Sequence, residues 1–392
     1  MAIRERARVQ KTRTFVVPET TIGEMAFPTA SNGLLTVGRP TFTAQVGEQE
    51  ESGWLFDTRT SQPGCTKNFA PQAFNLSIYI TKPGTPGTTT NEHNVLEAAL
   101  GVATINTGTS IDYEPAFDRL TQTIYIMHEH TMYILTGSVY TSWNMKMAPS
   151  DTCRFQVDCG GMYMRMHVVG SAPLTAAAST GATTLTVGTT NINRYLGYGL
   201  VSLESADGLT TDDNGGAGYK IIDVDYAAGT ITLDASAPIV SNFAIGDYVL
   251  PFLPDFTPNS SPIDGKSIEA IADGVAFDVY SMELKGTENV TFTKQLSLYP
   301  EGFDEQDKRQ IELTCMGFMK PETAAYFNKI NQQQVMTIQS KSTVPSGEKI
   351  EIDLYDVRFT SVQPGEEGPA MNVTFTGLVK GTKEDEFKVT LK

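Results

Sequence analysis

Few residues in this chain have the type and spacing to do chemistry. His128-Glu129-His130 is the one cluster among four histidines. On a strand its two imidazoles would share a face, a spacing that can hold a metal ion. The segment from Ile124 to Ile134 alternates as an ordinary sheet strand does, with no third ligand nearby in sequence, so a strand is predicted rather than a metal centre. His93 and His167 are isolated, which leaves few general bases. Gly265-Lys266-Ser267 ends like a phosphate-binding loop, but Ser260 stands where that motif needs glycine and a Pro-rich approach replaces the strand, so a turn is predicted. Asp212-Asp213-Asn214-Gly215 lacks the alternate acidic spacing and closing Glu of a calcium loop and is predicted to be a solvated turn. Cys153 and Cys159 fall on one face of a predicted strand ~20 Å apart, beyond disulfide reach, and no CxxC pair points to zinc. The nucleophile-elbow pattern Gly-x-Ser-x-Gly is absent. Carboxylate pairs for glycoside hydrolysis are defined in space, and the sequence gives no positive sign of one. The expectation is a protein that is not an enzyme, with no catalytic, cofactor-binding or metal-binding residues.

The elements that carry these residues are β-strands. Of 392 residues 40% are apolar and 19% charged, and 49 Thr, 34 Gly and 20 Pro favour strands and turns over helices. The length predicts two or three domains. A net charge of −16 disfavours binding to nucleic acid through phosphate neutralisation. The charge is uneven: Arg4, Arg6, Arg8, Lys11 and Arg13 against Glu5 give the first 13 residues +4, whereas 171–265 hold two basic and ten acidic residues. A basic arm on an acidic body suggests an arm that docks on a neighbouring copy. No run approaches ~20 apolar residues, and Thr14 to Pro18 is too short for a signal-peptide core, so a cytoplasmic protein with reduced cysteines is expected and no membrane partner. The methionines clustered from Met127 to Met166 read as core filler on strands.

Along the chain, alternation predicts strands at 41–46 and 74–80, a loop between them from Gly47 to Asn68, and a second loop from Lys82 to Asn91. A helix follows, capped by Asn91, carrying Val95 to Leu100 and stopped by Gly101. Long strands come next at 122–135, 139–147 and 153–159, broken at Gly137 and at Ala148 to Asp151. From 171 the texture turns to Ala, Thr, Ser and Gly with short strands, including a hairpin of Lys220–Asp225 with Thr230–Asp234, and a Pro-rich exit closes the segment. From about 270 the earlier order returns. Thr291 to Leu296 repeats Thr41 to Val46, Ile311 to Phe318 stands for Phe74 to Ile80, and a helix at 321–327 stands for Val95 to Leu100. The hairpin of Val335–Ser340 with Lys349–Phe359 follows, and Tyr355, Pro364 and Gly377 parallel Tyr140, Pro149 and Gly160. These landmarks predict an internal duplication: arm 1–34, first copy 35–170, an inserted all-β domain 171–266, second copy 267–392.

The run of strand, loop, Leu96-Glu97-Ala98-Ala99-Leu100-Gly101 helix, long hairpin, Gly137-Ser138-Val139 and paired strands around Pro149 resembles the major tail tube proteins of long, non-contractile bacteriophage tails, and Val275 to Leu391 resembles their closing strands. Thr183 to Val187, Ile231 to Asp234 and Gly246 to Val249 resemble small β-domains inserted in phage structural proteins. The resemblance implies a mainly β fold of two tandem tube-like sandwich or barrel units, each with a short flanking helix, plus a small inserted all-β domain projecting outward and dispensable for assembly. It implies a structural protein of the virion tail, assembled in the host bacterial cytoplasm, whose trimers form pseudo-hexameric rings stacked into a tube through which DNA is ejected without specific binding. Implied partners are further copies of the chain and the tail terminator, tape measure and distal tail proteins. Successive rings would be joined through the arm (Arg4, Arg6, Arg8, Lys11, Arg13) and the two loops (Glu48, Glu50, Lys82, Thr85). The other function class open to such sandwiches is a carbohydrate- or receptor-binding tail or surface protein.

Overall fold

The computed structural model describes residues 12–44, 47–52, 62–148, 151–195, 199–258, 261–272, 275–277, 279–293, 298–305, 308–318, 328, 332–367, 370–381 and 385–392. It is mainly β with one α-helix among the described residues. The first half contains β1 (Thr12–Pro18), β2 (Thr41–Phe42), β3 (Gly47–Ser52), β4 (Gln62–Phe69), β5 (Gln72–Tyr79), α1 (His93–Leu100), β6 (Val102–Asn106), β7 (Ser110–Glu114), β8 (Gln122–His128), β9 (Thr131–Tyr140), β10 (Ser142–Met147), β11 (Arg154–Tyr163) and β12 (Arg165–Val169). The helix starts one residue later than expected, with Glu92 rather than Asn91 at its N-cap, and stops at Gly101, whose φ of 135° suits glycine. A Cβ there would stand 2.1 Å from the Glu114 carbonyl oxygen. The expected loop from 47 to 68 is instead a β3–β4 hairpin at both its ends. Gly137, expected to break a strand, lies inside β9 in the left-handed region with its N–H held by Glu19 Oε1. The breaks fall at Glu129–His130 and Thr141, where the chain turns and bends.

The middle segment forms a seven-stranded sheet from β13 (Ala172–Pro173), β14 (Thr184–Thr186), β15 (Leu200–Glu204), β16 (Thr211–Asp212), β17 (Tyr219–Asp225), β18 (Thr230–Leu233) and β19 (Tyr248–Pro251). β17 and β18 pair as the expected hairpin. This sheet is not a free-standing appendage. Its core residues Leu174, Leu203, Tyr219, Ile231 and Val249 belong to one cluster with Phe15, Val17, Tyr125, Met132, Ile134 and Val169 of the first half. The segment packs on the outer face of β1, β8, β9 and β12 as a third layer.

The second half runs β20 (Ile268–Ala272), β21 (Val275–Phe277), β22 (Val279–Thr287), β23 (Val290–Phe292), β24 (Phe303–Glu305), β25 (Gln310–Phe318), β26 (Gln333–Ser340), β27 (Ile350–Glu367), β28 (Ala370–Val379) and β29 (Phe387–Leu391). Its order of pairing repeats that of the first half. β1·β8, β8·β9, β9·β12, β10·β11, β11·β5 and β5·β2 are matched by β20·β26, β26·β27, β27·β29, β27·β28, β28·β25 and β25·β22. The long strand β27 does alone what β9 and β10 do with a bend at Thr141.

The residue equivalences differ from those read in the sequence. Thr291 and Phe292 pair with Asp304 and Phe303 in a separate hairpin, whereas Phe42 pairs with Phe74; its counterpart is Leu284, which pairs with Leu313. Tyr140 is level with Phe359 and Gly161 with Gly377. The sequence match tracked residue type, whereas equivalence in a sheet is set by the neighbour across the ladder. The predicted helix at 321–327 lies outside the described residues.

One hydrophobic cluster serves both halves. Phe74, Ile78, Trp143, Met145 and Phe155 of the first share it with Leu284, Leu313, Ile338, Ile352 and Phe387 of the second, and α1 contributes Val95, Leu96 and Leu100.

Candidate functional site

The chemistry candidates resolve into structural roles. His128 ends β8 and His130 lies in the turn, so the two do not share a strand face as expected; Glu129 between them has φ 50°. His128 Nδ1 meets Thr12 Oγ1 at 2.9 Å and Nε2 meets Arg39 at 3.2 Å, and burial followed by the Arg39 charge pushes its pKa down. Asp212 is buried and accepts from Tyr219 Oη (2.5 Å) and from the Val240 and Ser241 N–H groups, tying a turn together. Gly265–Ser267 is a 3-10 turn whose Lys266 N–H is accepted by Asp264. The Cys153 and Cys315 thiols are buried and pushed up to about 12, which suits packing and not reactivity. Among the described residues no three His, Cys, Asp or Glu side chains are gathered to hold a metal ion, and no helix is long and apolar enough to cross a membrane.

What the fold does build is a seam between halves. β10 of the first half and β22 of the second pair antiparallel from Ser142↔Thr287 to Met147↔Met282. Trp143 is the largest fully buried side chain among the described residues and sits over Gly286, where a Cβ would stand 2.2 Å from the indole. Phe155 stacks on Trp143 at 6.1 Å and Phe387 meets it edge-on at 5.5 Å. On the other face Asn144 donates to Glu283.

Three further contacts reinforce the seam. β7 pairs with β29, and Lys388 Nζ lies 2.8 Å from Asp112 Oδ2 and 3.4 Å from Glu114. Burial raises the Asp112 pKa, but hydrogen bonds from Lys388, Ser110 and Thr390 outweigh it and hold the carboxyl below its ordinary range. Glu288 is buried between Arg119 (2.5 Å) and Arg309 (2.7 Å), and Arg309 also donates to the Ala116 carbonyl. A buried carboxylate needs such partners to offset lost hydration.

Because of the seam, β2, β5, β11, β10, β22, β25, β28 and the C-terminal part of β27 form one continuous strip of eight strands. One face of the strip lies on the core; the other carries mostly polar residues, Asn75, Ser77, Asn144, Gln156, Thr314, Thr374 and Thr376 among them, with exposed Met316 and Phe318 towards one end of β25. Lys146 faces Glu283 and Lys285 faces Glu312 across the ladder, while Arg154, opposite Lys146 on β11, pairs with Asp151 at 2.7 Å. Among the described residues no strand pairs with the outer edge of the strip at Thr41–Phe42 or at Val362–Gly365. No protein-family model matches the chain, and no curated protein matches it.

The residues expected to join rings divide. Arg4, Arg6, Arg8 and Lys11 lie outside the described residues. Arg13 is engaged within the chain, 2.9 Å from Asp255 and donating to the Leu253 carbonyl, and so fastens β1 to the exit of the middle segment. Lys82 pairs with Glu348 at 2.6 Å and the Gly84 N–H is accepted by Gly347, so the 82–87 loop braces the two halves. Thr85 sits in that same loop, its carbonyl accepting from the Thr88 N–H. Glu48 and Glu50 lie on β3. Sequence reasoning missed Trp143, Gly286, Glu288 and Lys388. Their partners are far away in sequence, and the one signal was a Trp on an otherwise alternating strand.

Proposed function

We propose that the chain is a structural, non-enzymatic ring-former of the tail-tube type, three copies closing a barrel and successive rings stacking into a conduit for DNA. The observation that carries this reading is the eight-strand strip, made by end-to-end fusion of two equivalently paired four-strand units and, among the described residues, paired with no further strand at either end. Open edges invite pairing, and a repeating head-to-tail contact that closes makes a ring. Strands ~4.8 Å apart give ~38 Å of circumference per chain, so three chains make an untilted barrel ~37 Å across between backbones, and strand tilt widens it. That admits a duplex inside the side chains; two chains, at ~24 Å, would not. The polar face of the strip suits the lumen because its opposed Lys and Glu residues present no unopposed basic track to phosphates, so counterion release gives DNA little hold. In this role the protein would lie in the virion tail, with the tail terminator, tape measure and distal tail proteins at the tube's ends. Negative-stain microscopy of the purified protein tests it: rings or tubes with a central channel are expected, and a stable monomer retained on glycans would overturn it in favour of a binding role.

A further inference from the structure

We propose that the chain joins a second copy of itself by repeating, between chains, the seam that already joins its halves: the edge of β27 at Val362–Gly365 of one copy, which no described strand pairs, aligns antiparallel with Thr41–Ala44 of the next. The inference rests on the ring reading and gives that ring its strand pairing and register.

The register follows from rows of residues across the strip. Phe42, Phe74, Gly161 and Tyr140 form one row, and Leu284, Leu313, Gly377 and Phe359 form its equivalent. Four residues along β5 and β25, Ile78, Phe155 and Met145 are matched by Gly317, Val373 and Pro364. Within the chain Met145 stands opposite Leu284. The same relation between chains puts Pro364 opposite Phe42, Gln363 opposite Thr43, Val362 opposite Ala44 and Gly365 opposite Thr41.

Backbone polarity agrees. Thr43 N–H donates inward to Ala73 O and Val37 N–H to Ser77 O, so the N–H and C=O of Phe42 and Ala44 point outward to the free edge. In the intrachain seam Glu288 N–H donates to Thr141 O, which makes Trp143–Gly286 and Met145–Leu284 the hydrogen-bonded pairs, the same parity. Side-chain size agrees as well, since the large–small pair Trp143–Gly286 becomes Val362–Ala44. Pro364 lacks an N–H, so its pair keeps only the bond from Phe42 N–H; the same proline discourages promiscuous pairing of the edge before assembly.

Thr43 and Gln363 are both exposed and would form a non-hydrogen-bonded pair, with Cα atoms ~4.5 Å apart and within disulfide reach. Thr43→Cys/Gln363→Cys protein, assembled and mildly oxidised, is expected to run as a reducible covalent trimer, and a mixture of the two single variants as a covalent dimer. Either single variant alone should stay uncrosslinked, as should Thr43→Cys/Ser361→Cys, which is two residues out of register. Asn144→Cys/Lys285→Cys, the intrachain equivalent, should close within one chain. Rings or tubes that form in the micrograph while Thr43→Cys/Gln363→Cys stays uncrosslinked would overturn this pairing and leave the ring reading standing. A chain that remains monomeric and uncrosslinked would overturn both.

Discussion

Gly286 is where the seam is most exposed to test. A methyl group there would stand 2.2, 2.4 and 2.6 Å from Cε2, Nε1 and Cζ2 of Trp143. The indole cannot retreat, being 1% exposed and packed between Phe155 and Phe387. Overpacking of this kind costs ~1–3 kcal/mol. Replacing a mid-strand glycine regains ~0.5–1 kcal/mol of chain entropy. Gly286→Ala should therefore lower stability by ~1–2 kcal/mol. Trp143→Phe removes the ring that clashes, and because Trp143 Nε1 meets no acceptor among the described residues it breaks no hydrogen bond. The double variant should thus be more stable than the two single losses summed, with a coupling of ~1 kcal/mol. Urea unfolding followed by far-UV circular dichroism measures all four species. A Gly286→Ala midpoint indistinguishable from wild type, or strict additivity in the cycle, would refute the claim that Trp143 and Gly286 lock the halves.

Replacing Ala172–Pro251 with a short linker should uncover Phe15, Tyr125, Met132, Ile134 and Val169, each fully buried, at ~1.5–3 kcal/mol apiece; insoluble or dye-binding protein is expected, and a well-folded soluble truncation would show that the middle sheet is detachable after all. Burial raises the pKa of Glu92 above its ordinary value against hydrogen bonds from Thr81, so its contribution is whole at low pH and lost as pH rises through the raised pKa. Glu92→Gln should accordingly stabilise the protein at pH ~8 more than at pH ~4, as read by unfolding midpoints. Asp112 is shifted the other way, so the stability it supplies is present above its ordinary pKa and disappears on acidification; Asp112→Asn should be costly at neutral pH and nearly silent at pH ~2 in the same assay.

The strand content was legible because threonine and strict alternation mark a half-buried sheet, and β5, β10, β22 and β25 alternate in that way. The third layer is written in the sequence as runs of consecutive apolar residues. β1 carries four consecutive buried residues, Thr14-Phe15-Val16-Val17, and β8 carries five, Gln122-Thr123-Ile124-Tyr125-Ile126. Such runs mean a sheet covered on both faces, and they separate the outer sheet of the first half from the strip, whose second face is polar. In the second half the outer sheet alternates, Val335, Thr337 and Gln339 against Met336 and Ile338, and only its inner face is in the core. The middle segment therefore covers the one outer sheet whose sequence requires covering. The seam was not legible, because the pairing of Trp143 with Gly286 or Asp112 with Lys388 depends on which edge of one half meets which edge of the other, and a sheet of either half offers two.

The choice of edges is itself informative. β29 could have been an open edge of the second outer sheet, but β7, from a hairpin that follows α1, pairs with it and pins it with Asp112 and Glu114 on Lys388. β12, its equivalent in the first half, is met by Tyr195 of the middle segment through a bridge to Val169. Two different pieces of chain thus cover the same edge in the two halves, so covering it matters more than how it is done. The strip is treated in the opposite way. One of its internal junctions is used within the chain, and the two ends that could form the same junction again are left with outward-facing backbone at Phe42 and Ala44 and a proline at 364. With the edges of the outer sheets covered at β12 and β29 and the strip's two ends unpaired among the described residues, the ends of the strip are where strand pairing with another copy would form, and a head-to-tail contact that repeats rotationally is the kind that closes a ring.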